Sequence, residues 1–275
     1  MTATPIPPMG AAVRLTPTGR TATNLLASEW TKIRSVRSTY WTLIAAAATT
    51  IGLSAIICAV FVAQYAHLTP QDKAGFDAAS ASLAGGILGQ FAIAVLGVLV
   101  ITSEYASGMI RTTFAAVPRR VIVLVAKVAV FGALTLAATT TACFIAFFIG
   151  QAILSAKDIG VSIGAPNAAR TVVGTALYLT ILGLLSLGLG ALLRKTAGAI
   201  SAVVGILFVL PVLANFLPSS LEAIQKYLPS NAGQVIVGGN GGADRLTPWV
   251  GLGVFALYAA AALAAAAFTL VHRDA

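Results

Sequence analysis

Residues Val128 to Ala156 read VAVFGALTLAATTTACFIAFFIGQAILSA, a run without a single Asp, Glu, Lys or Arg. A helix rises about 1.5 Å per residue, so roughly 20 apolar residues cross a hydrocarbon layer of about 30 Å, and this run is long enough. Five further runs share its character: Ser38 to Gln71, Ala78 to Ser103, Thr171 to Leu193, Thr196 to Leu221 and Leu246 to His272. The chain as a whole is 58% hydrophobic and only 9% charged, against about 25% charge in a soluble domain. The expected fold class is therefore an all-α polytopic membrane protein with six transmembrane helices, at about 40–64, 82–103, 123–150, 171–193, 196–217 and 248–271. They form a single domain over 23–275, preceded by a disordered tail over 1–22. Tyr227 to Ala243 is also uncharged, but its proline, asparagine and glycines would strand backbone amides in lipid, and it reads as loop.

The basic residues set an expected orientation. Counting the N-terminal segment as the first gap between spans, the odd-numbered gaps carry twelve basic and three acidic residues. That surplus of nine is the whole of the chain's net charge of +9, since the even-numbered gaps carry five of each sign. The positive-inside rule puts the odd gaps, and both termini, in the cytoplasm, with the protein in the cytoplasmic (inner) membrane. Lys127 counts here as a cytoplasmic loop residue, and the spans are expected to hold no ionisable side chain, which disfavours an ion-coupled carrier. The basic character then marks topology and contact with membrane lipids, with no nucleic acid partner expected. The N-terminal stretch lacks the apolar core and cleavage site of a signal peptide. Cys58 and Cys143 fall inside spans without CxxC spacing and read as small apolar residues.

Ahead of the first span, TNLLASEWTKIRSVRSTYW (Thr23 to Trp41) has helical periodicity. Leu26, Trp30, Ile33, Val36 and Tyr40 gather on one face, which predicts an interfacial helix lying in the acyl boundary, with Lys32 and Arg34 reaching headgroups from its flanks. Glu29 and Arg37 intrude on that face. The alternative is a plain basic extension of span one. Within the spans, small residues recur at four-residue spacing in Gly85 and Gly89, Ser186 and Gly190, and Ser201 and Gly205, a pattern suited to close helix packing. Pro211 should kink span five.

Between spans two and three lies SEYASGMIRTTFAAVPRR, Ser103 to Arg120, with one glutamate and three arginines. At about 3 kcal/mol for each charge at mid-bilayer, the segment has to emerge. From Ser107 as a cap, Met109, Ile110, Thr113, Phe114 and Val117 share a face, and Pro118 ends the helix. An apolar face outside the membrane calls for a hydrophobic partner.

The order acid, glycine, aliphatic, basic, threonine, then Pro-Arg-Arg before a span, as in EYASGMIRTTFAAVPRR, resembles the cytoplasmic loop of ABC-2 type transporter permeases. LLASEWTKIRSVRSTYW resembles the helix before their first span, YLPSNAGQ the outer loop before their last, and the terminal HRDA their common ending. The resemblance implies a six-span permease domain that pairs with a second permease copy or paralogue and with a cytoplasmic ABC ATPase subunit. It also implies alternating access, with export the expected direction. The loop after span two would be a coupling helix seated in the ATPase, which carries over to Glu104, Gly108, Ile110, Arg111, Thr112, Phe114, Pro118 and Arg119. Ile110 and Phe114 would fill a groove on the partner; Glu104 and Arg111 would pair with polar groups there or on the first amphipathic helix. Met109 departs from the small or polar residue often found at its position.

No cofactor or metal site and no catalytic residue is expected in the chain itself. It contains no Gly-Lys dipeptide, hence no Walker loop, so ATP and Mg would be bound by the partner ATPase. Two other readings stand beside the permease: a non-transporting membrane anchor or regulator of an ATPase, and a membrane-embedded lipid-modifying enzyme. The second lacks His, Asp or Cys gathered at one membrane face.

Overall fold

Six helices long and apolar enough to span a membrane occupy the six charge-free runs, in a computed structural model that describes residues 19–117, 119–216, 222–238 and 246–272. In chain order the helices are α1 (Gly19–Ser35), α2 (Arg37–Gln64), α3 (Pro70–Ala74), α4 (Ala78–Ala81), α5 (Gly86–Ala106), α6 (Met109–Ala116) and α7 (Arg120–Leu154). Then follow α8 (Ala168–Leu193), α9 (Thr196–Val204), α10 (Leu210–Ala214), α11 (Glu222–Gln225), α12 (Pro229–Gln234) and α13 (Pro248–His272). The described residues contain no strand, and the chain is a multi-pass helical membrane protein.

α8 is the axis of the bundle. It packs against α5, α7 and α13, and its most apolar stretch is 67% buried; α5, its closest companion, reaches 61%. The corresponding stretches of α2, α9 to α10 and α13 are each 22% buried, so most of their surface faces outward, as lipid contact requires. Large apolar side chains such as Leu257, Phe268 and Val212 lie on that outer surface.

Helices approach closely where glycine removes the Cβ. Gly97 of α5 lies against the Gly183 carbonyl of α8, and Gly190 of α8 against Ile101 and Val98 of α5. Gly85 and Gly89 abut Thr50, Ser54 and Ala46 of α2, with the Gly85 N–H donating to Ser54 Oγ at 3.0 Å. Ser201 and Gly205 make no comparable seam. Ser201 is exposed, and a Cβ at Gly205 would meet nothing within 4 Å.

Several boundaries differ from those read in the sequence, each for a local reason. Span two starts at Gly86 rather than near 82, because Asp77 caps a separate short helix, accepting from Ala79 N at 3.0 Å. Span three starts at Arg120 and runs to Leu154, taking in Lys127. Ahead of Pro211 the chain widens into a π-helical turn, Gly205–Val209, which accommodates the ring that an ordinary turn would clash with. The stretch read as loop after Tyr227 contains α12: proline supplies its first turn, the Ala232 N–H reaches Leu228 O at 2.8 Å, and Ala232 and Gly233 are buried, with α12 against α13. Pro118, residues 1–18 of the expected 1–22 tail and the terminal 273–275 lie outside the described residues, and the last four positions of that tail, 19–22, belong to α1 rather than to a disordered segment.

Candidate functional site

α1 and α6 lie together at the end of the bundle where α5 stops and α7 begins. α1 packs on α7, and α6 joins α5. Gly108 makes the turn from α5 into α6 with φ +71°, a left-handed conformation that glycine adopts without a Cβ penalty. The Ser107 N–H closes the end of α5 on Ser103 O at 3.0 Å.

Four charged side chains meet beneath this layer. Lys127 donates to Glu29 Oε2 at 2.5 Å and to Glu104 Oε1 at 2.7 Å. Lys32 donates to Glu29 Oε1 at 2.6 Å and stands 3.5 Å from Glu104 Oε1. Glu29 and Lys127 are 1% exposed and Glu104 3%, with Lys32 partly buried at the edge, so two carboxylates and two ammonium groups form a cluster that is neutral overall. Buried charges survive only when paired, because each loses its hydration; here each carboxylate meets both cations. Glu104 Oε2 is buried without a hydrogen-bond partner among the described residues.

Three expectations are corrected by this cluster. Lys127 is not a loop residue: it sits seven residues into α7, about 10 Å along the helix from Arg120, and is nearly inaccessible. With Glu104 in the last turn of α5, the spanning helices do carry ionisable groups: the paired set at this end of the bundle, and Arg170 in the first turn of α8, whose Nε and Nη2 are buried without a hydrogen-bond partner among the described residues. Lys32, expected among headgroups, instead closes the cluster and also donates to Thr113 Oγ1 of α6 at 3.4 Å. Burial works against the charged form of Lys32, but its hydrogen bond to Glu29 and the nearby Glu104 outweigh that and raise its pKa. The stabilising share of a raised lysine is complete below its unfolded value and disappears as pH climbs through the folded one. Protection of α1 from proteolysis is therefore expected to stay constant between about pH 6 and pH 9 and to fall only in stronger alkali, followed by timed trypsin digestion.

The apolar residues are divided differently from expectation as well. On α1, Leu25, Glu29 and Ile33 form the inward line at four-residue steps, while Leu26 and Trp30 are exposed on another face and Arg34 is exposed too. Ile33 thus leaves the predicted lipid face and packs with Leu124 and Ile110. Ile110 is 4% exposed, and Phe114 packs over Leu25, Val123 and Ala126 with the Arg120 guanidinium 5.5 Å from its ring centre. The face assigned to a partner's groove is covered by the chain's own α1 and α7, because two amphipathic helices and the start of α7 bury one another. Met109, Arg111, Thr112 and Arg119 are the expected coupling positions and neighbours that remain exposed.

Fold and site together define a multi-pass helical membrane protein with one end closed by an ion-paired helical layer. No protein-family model matches the chain, nor does any curated protein.

Proposed function

We propose that this chain is the permease subunit of an ATP-driven transporter, an exporter by its resemblance, working with a separate cytoplasmic ABC ATPase and a second permease copy or paralogue. The observation that carries the reading is the layer of α1 and α6. Of the two helices outside the six spans, α1 is tied to α5 and α7 by the ion cluster, and α6 is held on α1 and α7 by the Lys32–Thr113 hydrogen bond and by Ile110 and Phe114, so force applied to the layer reaches the spanning helices through fixed contacts.

In this reading the charged end is cytoplasmic and the ATPase meets the exposed side of α6. Arg111 and Arg119 give that side a positive character suited to an acidic patch on the partner, with Met109 as its apolar contact. Ile110 and Phe114 act from within, holding α6 on its support. ATP and Mg belong to the partner, and transport follows alternating access. A non-transporting anchor would use the same face, so flux across proteoliposomes separates the two readings.

Arg111→Glu is expected to weaken co-purification with a co-expressed ATPase about tenfold while leaving the unfolding temperature of the permease unchanged. Ile110→Ala should do the reverse, lowering stability by about 2–5 kcal/mol. Full assembly in an Arg111→Glu, Met109→Asp double variant would remove α6 from the interface and the reading with it.

A further inference from the structure

At the end of the bundle opposite the ion cluster, a cavity of about 650 Å³ opens between the start of α5, the first half of α8 and α12. That is the size of a small-molecule pocket. Gln90 and Tyr178 line it from positions 2% and 3% exposed, and the Tyr178 hydroxyl donates to Gln90 Oε1 at 2.8 Å. The bond engages the oxygen of that carboxamide and leaves Gln90 Nε2 without an acceptor among the described residues. Gln225 Nε2 donates to Ala214 O at 2.8 Å and Asn231 Nδ2 to Gln225 O at 2.9 Å, which orients both amides and leaves their side-chain oxygens as acceptors. Asn215 and Gln234 add two more carboxamides to the lining.

A carboxamide array offers donors and acceptors with no net charge. Among the described residues Lys226 is the one charged side chain on the lining, so a cation would find no counter-charge. An anion would exchange its hydration for a single ammonium, a poor trade in a partly enclosed site. Ile87, Leu179 and Val235 supply an apolar wall beside the amides.

We infer that this cavity binds the uncharged head of an amphiphile, one carrying hydroxyl or amide groups next to a short apolar segment. Groups of that kind both donate and accept, and match the mixed array on the wall. The inference concerns binding alone and stands apart from the ATPase-coupled reading.

The test uses the full chain in lipid nanodiscs free of glycoside detergent, with an octyl glucoside bearing a diazirine in its chain as probe. After irradiation, mass spectrometry is expected to find label on the α5 start and on α12, displaced by excess octyl glucoside but not by octyl sulfate or octyltrimethylammonium. Gln90→Leu should lower labelling about fivefold, as expected for one lost uncharged hydrogen bond. Gln234→Leu, at an exposed position, serves as a second variant and should also lower it. Label absent from these segments, label spread evenly over the outer faces of α2 and α13, equal displacement by all three amphiphiles, or labelling unchanged in the folded variants would overturn the inference.

Discussion

Lys127→Ala is expected to cost about 3–5 kcal/mol of stability, because it leaves Glu29 and Glu104 buried and sharing Lys32, after removing the ammonium that holds both at 2.5 and 2.7 Å. The loss should show as a lower unfolding temperature in detergent and as faster tryptic cleavage at Arg34 and Arg37, where α1 would lift from α7. Adding Glu104→Gln to the same chain should recover much of the loss. The remaining Glu29 and Lys32 are already paired at 2.6 Å, and a neutral amide replaces the stranded carboxylate. This recovery separates charge imbalance from a simple packing defect, since a cavity left by the lysine stem would be unaffected by a change at Glu104. An unfolding temperature unaltered by Lys127→Ala would mean that the cluster does not hold α1 in place.

Gly97→Ala is the second change with a large expected effect. A Cβ at this position would run into the Gly183 carbonyl and come within 2.9 Å of Ser186 Cβ. Both belong to α8, and neither can rotate aside as the tip of a long side chain could. The two most buried helices of the bundle would have to separate, at a cost of about 1–3 kcal/mol or more. Gly198→Ala and Gly205→Ala have open space around the new methyl group and should leave the unfolding temperature unchanged or slightly raised. Equal effects at all three positions would mean that α5 and α8 do not pack through Gly97.

The contrast shows how far the sequence could be read. The six spans were legible because apolar length is a property of the chain alone, independent of what each helix meets. Four-residue spacing of small residues marked two true seams, at Gly85 with Gly89 and at Ser186 with Gly190, yet the same spacing at Ser201 and Gly205 faces outward. Spacing identifies a surface able to pack, and only the fold decides whether another helix arrives there.

The ion cluster was hidden for a related reason. Glu29, Glu104 and Lys127 are far apart in the chain, and each taken singly resembles a charge at the margin of a span. One signal was available. Leu25, Glu29 and Ile33 fall on a single line of α1, and an acid on an apolar line needs a buried base. The amphipathic face of α6 was equally legible, but not its destination; Ile110 turned inward because α1, folded back over α7, offered Ile33 as its neighbour.

The length of α7 has a mechanical consequence. Lys127 near its beginning carries the ion cluster, and Gln151 near its end donates to Ala78 O at 3.0 Å and Ser82 Oγ at 2.9 Å while accepting from Val161 N at 2.7 Å. The two anchor points stand about 36 Å apart on one unbroken rod. Tilting that rod by about 5° displaces one anchor relative to the other by about 3 Å, so a nudge on one face of the membrane arrives at the opposite face with no hinge in between.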